Sequence, residues 1–133
     1  MLRELLAEEL RGAGHEVVSC SGPADPGESV DYPEVAHTVA KRVVEDAGSF
    51  GLLVCGTGQG VAISANKVPG ARAGVVMDPF SAKMLREHND ANILCLGERV
   101  VGTELAKCLL HAFLDADFAG GRHARRVGKI ELG

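Results

Sequence analysis

The chain has 133 residues, 46% of them hydrophobic and 24% charged, which suits one globular domain with a sizeable core. No apolar stretch approaches the ~20 residues of a membrane-spanning helix, and the first residues do not form the apolar core of a signal peptide. The formal net charge of −4 argues against a general nucleic-acid-binding protein.

The first half of the chain predicts two helices and two strands. Leucines at helical spacing indicate a first helix that ends at Gly12 and Gly14. Residues 15–20 predict a short strand, and the Pro- and Gly-rich residues 21–33 predict a loop. An amphipathic helix over 34–47 follows, and then a buried strand over the apolar run 50–55. The leucines of the first helix are Leu2, Leu5, Leu6 and Leu10.

The second half continues the alternation of helices and strands. A helix is expected to begin within GVAISANK (60–67), and the later elements are a strand over 71–77, a helix over 79–89, a strand over 92–97 and a helix over 103–116. Strands that alternate with helices at this spacing predict a parallel sheet between helical layers, with ligands bound beyond the carboxyl ends of the strands. No linker or repeat divides the chain, so a single domain over 1–133 is expected.

A glycine-rich stretch, VCGTGQG (54–60), begins at the end of the apolar run 50–55 and carries Cys55. Its glycine spacing fits neither a dinucleotide fingerprint nor a Walker loop. Backbone N–H groups in such a loop can converge on an oxyanion, and the same field favours the thiolate form of a cysteine. Burial is the commoner role of cysteine, and we expect it for Cys20, Cys95 and Cys108. Scattered cysteines without zinc spacing suit a reducing cytoplasm.

Two more groups of polar residues point to the same chemistry. His88 and Asn89 come at the carboxyl end of a predicted helix, where a histidine can also simply cap the helix. Arg122 and Arg126, four residues apart, can form a phosphate clamp on one helical face, although a solvated C-terminal segment is the alternative. Residues 118–133 carry four basic residues against one acidic residue, whereas the remainder carries 10 basic and 17 acidic. This charge distribution suits a small anion better than a polymer.

Four motifs carry a resemblance to a known family. In chain order they are VDYP, VCGTGQGVAISANKVPGARA, SAKMLREHNDANILCLGERVVG and GGRHARRV. They resemble the ribose-5-phosphate isomerase B family, which includes the galactose-6-phosphate isomerase subunits. The resemblance implies a Rossmann-like three-layer α/β/α sandwich with a parallel sheet, and a homodimer or tetramer with active sites at a subunit interface. It also implies aldose–ketose isomerisation of ribose 5-phosphate through an enediol, with no metal and no organic cofactor.

The resemblance further implies a role for individual residues. Cys55 matches the base that moves the proton between C1 and C2, and Thr57 and His88 match the pair that opens the furanose ring. Arg122 and Arg126 match the phosphate ligands. The other matched positions contact the substrate, some of them from the partner chain, or steady the enediolate through backbone amides. These positions are Tyr32, Gly56, Gly58, Gly60, Asn89 and Arg99.

The chain departs from the family at its beginning. The family ordinarily starts with a strand and an Asp-His-x-Gly loop, whereas this sequence begins inside the following helix. We expect the reading frame to continue upstream through that strand, because its absence would leave neighbouring strands unpaired. Three other functions stay open from the sequence: an isomerase of galactose 6-phosphate or allose 6-phosphate, a catalytically impaired sugar-phosphate-binding protein, and a coenzyme-binding module.

Overall fold

A computed structural model describes residues 2–20, 22 and 30–131 of the chain. Helices and strands alternate along these residues, beginning and ending with a helix. In chain order they are α1 (Leu2–Gly12), α2 (Tyr32–Glu45), β1 (Gly51–Cys55), α3 (Gln59–Ala65), β2 (Ala73–Val75), α4 (Pro79–Glu87), β3 (Ile93–Gly97), α5 (Thr103–Leu114) and α6 (Arg122–Ile130).

The three strands form a parallel sheet in the order β1-β3-β2. β3 is central, and all five of its residues are buried. Its side chains alternate between two cores: Leu94 and Leu96 pack with α1, α4 and α5, whereas Ile93 and Cys95 pack with α2 and α3. The expected α/β/α sandwich with a parallel sheet is confirmed.

Local sequence explains where the helices form and which faces they bury. In α1 the leucine spacing puts Leu2 and Leu6 in the core, and Leu6 is fully buried. Burying one such side chain stabilises the fold by about 1.5–3 kcal/mol. α4 begins at Pro79 after an N-cap, Asp78, whose carboxylate accepts hydrogen bonds from the Ser81 N–H at 2.8 Å and the Ser81 hydroxyl at 2.7 Å. Leucine spacing in α1 and the N-cap of α4 thus connect local sequence to the position of these two helices.

The predicted strand over 15–20 is wrong. These residues form no regular element, and Val18 is 66% exposed. A strand needs a hydrogen-bonding neighbour, and the described part of the chain supplies none here. A groove of about 960 Å³ lies between this segment and β1, lined by side chains of α1 and α2 as well. Most of the expected loop over 21–33 lies outside the described residues.

Two of the three predictions of buried cysteines are also wrong. Cys95 lies in the centre of β3 and is fully buried, as expected. Cys20 and Cys108 are exposed. Cys20 ends the unpaired segment 15–20, and Cys108 lies on the outer face of α5, next to the inward-facing Leu109. For both residues, position in the fold outweighs the general tendency of cysteine to be buried.

Candidate active site

The glycine loop (54–60) connects the carboxyl end of β1 to α3 and holds the Cys55 sulfur by a backbone contact. The Gly58 N–H donates to Cys55 Sγ at 3.2 Å. Gly58 can turn the chain back in this way because its φ is +83°, which is in the left-handed region that glycine adopts without strain. The Cys55 sulfur is half-buried and has a fixed backbone donor at the carboxyl end of β1.

The loop also packs directly on the end of β3. A Cβ atom added to Gly97 would lie 2.7 Å from the backbone carbon and oxygen of Thr57, so only glycine fits there. The Glu98 N–H donates to the Cys55 carbonyl at 2.8 Å, and the Arg99 N–H donates to the Gly56 carbonyl at 3.0 Å. The position of the sulfur is therefore fixed by backbone packing between two neighbouring strand ends.

Three more of the predicted residues have side chains on or beside this loop. The Tyr32 ring lies against Gly60, where an added Cβ would come within 2.5–2.8 Å of the ring and its hydroxyl. The Arg99 side chain runs alongside Gly56, with its Cδ at 3.5 Å from the corresponding Cβ position. The Thr57 hydroxyl accepts the Gln59 N–H at 3.3 Å. An aromatic ring, a guanidinium and a hydroxyl thus lie on or beside the glycine loop that carries Cys55.

A second cysteine lies beneath the loop. Cys95 shares the apolar cluster against which Cys55 packs, two residues before Gly97 on the neighbouring strand. Burial, and secondarily the nearby Cys55, raises the pKa of the Cys95 thiol to about 12. Cys95 therefore stays a neutral thiol at physiological pH, so it is not the reactive member of this pair.

Three of the remaining predicted residues, His88, Arg122 and Arg126, form a separate group with His123, which we call the histidine–arginine cluster. His88 is the C-cap residue of α4, and its backbone N–H donates to the Met84 carbonyl at 2.8 Å. The His88 and His123 rings stack with centroids 4.2 Å apart and planes inclined by 8°. The predicted helical turn at 122–126 is confirmed, because Arg122 and Arg126 lie one turn apart on α6 and both are exposed.

An ionic network fixes the loop that carries His88 and Asn89. Asp90 has a φ of +48° and is the one non-glycine residue with a positive φ among the described residues. Its carboxylate accepts from the Arg86 guanidinium at 3.0 Å and from Arg72 at 3.4 Å, and its carbonyl accepts from Arg72 Nε at 2.8 Å. Arg72 also binds the Glu131 carboxylate at 2.6 Å. Side-chain charges thus hold an uncommon backbone conformation that glycine would adopt more easily.

The glycine loop lies at the carboxyl ends of the strands and the histidine–arginine cluster at their amino ends, which are opposite edges of the sheet. Cys55 pairs with Gly97 at the carboxyl ends of β1 and β3, whereas Gly51 pairs with Ile93 at the amino ends. The loop after His88 leads into β3 at the amino edge, where Arg72 binds Asp90 just before β2 begins. Four residue steps along a strand span about 13 Å. One chain therefore does not bring His88, Asn89, Arg122 or Arg126 to the Cys55 sulfur.

Some functional candidates were missed by the sequence analysis. His123 lies within the motif GGRHARRV but was assigned no role. Its position between two arginines that are four residues apart was the available signal. Nothing in the sequence indicates that position 97 requires glycine, because the restriction comes from the Thr57 backbone in the loop after the neighbouring strand. Asp90 was not singled out either, since a positive φ outside glycine is rarely evident from sequence.

The described residues do not contain a group of three or more His, Cys, Asp or Glu side chains that could hold a metal ion. Within the same residues, none of the helices is long and apolar enough to cross a membrane.

Comparisons with known proteins identify the family of the chain. The family model for ribose/galactose isomerases matches residues 1–130. Ribose-5-phosphate isomerase B of Escherichia coli is 50% identical over 103 residues, which are 77% of this chain and 69% of that protein. The D-erythrulose-4-phosphate isomerase of Pectobacterium atrosepticum is 43% identical over 130 residues, which are 97% of this chain and 84% of that protein.

A solved structure agrees with the fold over nearly the whole chain. Ribose-5-phosphate isomerase B from Mycoplasma genitalium, with bound ribulose-5-phosphate, superposes with a TM-score of 0.92 at 39% identity. The superposition covers 98% of this chain and 86% of that one. The chain belongs to the ribose/galactose isomerase family, and it is an isomerase.

Proposed function

We propose that the protein interconverts ribose 5-phosphate and ribulose 5-phosphate, with Cys55 as the base that moves the proton between C1 and C2. The observation that carries this proposal is the Gly58 N–H donating to the half-buried Cys55 sulfur at 3.2 Å, at the carboxyl end of a parallel strand. Ligands bind at this edge of parallel sheets. The ribulose-5-phosphate in the Mycoplasma genitalium structure supports a five-carbon sugar phosphate.

The proposed chemistry needs one base and an environment for a developing negative charge. The Cys55 thiolate removes the C2 proton of the open-chain aldose, and the electron pair moves to the carbonyl oxygen, giving an enediolate. The same thiol then returns the proton to C1, while the hydroxyl proton on O2 is lost and O1 gains one. Preorganised N–H groups stabilise such a charge more than water does, and we assign this role to the backbone amides of Gly56, Gly58 and Gly60.

Ring opening comes before proton transfer, because the aldose is mainly a furanose. We assign this step to Thr57 and His88, a hydroxyl and an imidazole that exchange protons with the ring oxygen and the C1 hydroxyl. Ribulose 5-phosphate cannot form a furanose, because its C5 oxygen carries the phosphate. Proton transfer from the ketose is therefore independent of these two residues.

Substrate binding is assigned to the charged and polar residues of both groups. Arg122 and Arg126 match a phosphate dianion by charge and by the fork geometry of the guanidinium. Tyr32, Asn89 and Arg99 contact the sugar. The exposure of Arg122 and Arg126 is consistent with a ligand that arrives from solvent.

We infer that two protomers build each active site. Within one chain the histidine–arginine cluster lies at the opposite edge of the sheet from the glycine loop, so neither group suffices for the reaction. Exposed apolar side chains lie on the segments that follow the carboxyl edge of the sheet, and they suit an interface with a second copy. They are Ile63, Met77, Phe80 and Val100, which are 50–71% exposed.

The substrate assignment is tested by the turnover of four-, five- and six-carbon aldose phosphates by the purified protein. We expect the highest kcat/KM with ribose 5-phosphate. A higher kcat/KM with erythrose 4-phosphate would favour the reaction named for the Pectobacterium atrosepticum relative. Absence of turnover with every aldose phosphate, while phosphorylated sugars still bind, would mean a binding protein.

The assignment of the two chemical steps is tested by deuterium uptake from D₂O into C1 of ribulose 5-phosphate. A His88→Ala variant should lose net isomerisation and keep deuterium uptake, since the acyclic ketose needs no ring opening. Equal loss of both would contradict the role of His88 in the ring step.

A further inference from the structure

The imidazole rings of His88 and His123 form a stacked pair. The two rings are almost parallel, with planes 8° apart and centroids at 4.2 Å. His123 is half-buried and the His88 side chain is 41% exposed, so the stacked His88 ring still reaches solvent. Nothing in the reaction described above uses His123.

The backbone around the pair brings the two rings together. The Ala119 N–H donates to the Glu87 carbonyl at 2.9 Å, which ties the segment before α6 to the last residue of α4. Gly120 and Gly121 then have φ values of +67° and +56°, both in the left-handed region. This reversal starts α6 directly beside the C-cap of α4. The stack is thus a consequence of the fold and not of two freely rotating exposed side chains.

The charges around the pair favour a neutral His123 ring. Partial burial lowers the pKa of His123, and the neighbouring His88, Arg122 and Arg126 lower it further, while Glu87 opposes them. These are the ionisable groups that face the ring from α4 and α6. The neutral, flat His123 ring is therefore a suitable stacking partner for the His88 imidazole while His88 exchanges a proton with the sugar.

From this geometry we propose that His123 is a positioning residue, whose ring fixes the plane of His88 for the ring-opening step. An exposed histidine at a helix end otherwise rotates about χ2, because torsions of this type have broad minima. Misplacement of a reacting group by about 1 Å can cost up to a hundredfold in rate. The proposal rests on the proposed function, because it requires His88 to act on the sugar ring.

Two variants of His123 separate stacking from protonation. In His123→Phe a flat ring remains that can stack but cannot titrate, whereas His123→Ala removes the ring. Arg125→Ala, one exposed position on the same helix with no assigned role, is the control. We expect kcat for ribose 5-phosphate isomerisation to fall about tenfold in His123→Ala, with KM nearly unchanged, and to recover in His123→Phe. Deuterium uptake into ribulose 5-phosphate should stay normal in all three variants.

A spectroscopic measurement tests the stack without any turnover. The ring-proton resonances of His88, assigned with a His88→Gln variant, should carry the ring-current shift of a stacked neighbour. They should move in His123→Ala and remain near their original positions in His123→Phe and Arg125→Ala. Resonances that do not move in His123→Ala would overturn the proposal.

Other outcomes are equally decisive. Three results in His123→Ala would each overturn the positioning role of His123: an unchanged kcat, a raised KM with normal kcat, or an equal fall in isomerisation and deuterium uptake. His123 would then have a packing role or contact the phosphate. An unsubstituted enzyme that isomerises no sugar phosphate but shows the stacked resonances would instead contradict the proposed function, and with it the catalytic meaning of the stack.

Discussion

The glycine loop and the histidine–arginine cluster achieve positional precision by opposite means. In the glycine loop, backbone atoms pack on backbone atoms, and the space beside Thr57 admits no Cβ at Gly97. In the cluster, His88 stacks on His123, and in the adjacent loop a charged network keeps Asp90 at a positive φ between Arg72 and Arg86. The first arrangement suits a base that must not move, and the second suits side chains that meet a charged ligand from solvent.

The largest difference between the two regions is expected from Cys55→Ala. Removal of a general base typically lowers the rate about a hundred- to ten-thousandfold. We expect that loss in kcat and an equal loss of deuterium uptake into ribulose 5-phosphate, with sugar-phosphate binding retained. Cys108→Ala, at an exposed cysteine of α5, is the matched control. Near-normal turnover in Cys55→Ala would reduce this cysteine to a packing role.

The backbone packing of the glycine loop is tested by Gly97→Ala. The added methyl group would lie 2.7 Å from the Thr57 backbone, so the loop must shift. Overpacking of this kind typically costs about 1–3 kcal/mol in the free energy of unfolding. Gly128→Ala in α6 is the control, because an added Cβ there meets nothing within 4 Å. Chemical denaturation with parallel kinetics checks this prediction, which fails if both variants resemble the unsubstituted protein.

The two arginines assigned to the phosphate, Arg122 and Arg126, should respond in affinity and not in chemistry. Arg122→Ala or Arg126→Ala should raise KM for ribose 5-phosphate about tenfold or more, because a charge-assisted hydrogen bond contributes roughly 1.5–3 kcal/mol. Steady-state kinetics measures the effect, and Arg125→Ala on the same helix is the control. Unchanged KM in both variants would mean that the arginines of α6 are only solvated.

The smallest expected effect is a change in the pH dependence of stability. The pKa of His123 is lowered from 6.5 in the folded protein. The unfolded chain therefore binds a proton more readily, and the contribution of His123 to stability falls as the pH drops below 6.5. His123→Phe should make the free energy of unfolding less sensitive to pH in this range. Denaturant titrations at several pH values check the sign, and a steeper dependence in the variant would contradict it.

The sequence predicted the elements that local pattern determines. The apolar runs of β1 and β3 and the leucine spacing of α1 led to the correct elements within two residues. Residues 15–20 also contain an apolar pair, Val17 and Val18, and form no strand, because pairing depends on a neighbour that pattern does not reveal. The spacing of Arg122 and Arg126 was informative because helical neighbours are local.

The arrangement of the site was less accessible from sequence. Cys55 and His88 were expected in one constellation, and the fold puts them at opposite edges of the sheet. A helix that returns antiparallel to its strand moves its last residues to the amino edge, and that consequence follows from topology and not from residue type. The Asp90 network depends on Arg72 and Glu131, which are 59 residues apart.

The central claim is that a second protomer completes each active site, and mixed dimers test it most directly. Cys55→Ala and His88→Ala protomers, each nearly inactive alone, are unfolded together, refolded at equal concentrations and assayed with ribose 5-phosphate. Random pairing gives half of the dimers as hybrids, each with one intact site, so about one quarter of the unsubstituted activity should return. Activity no greater than that of the separate variants, with hybrid dimers demonstrated, would contradict the shared site.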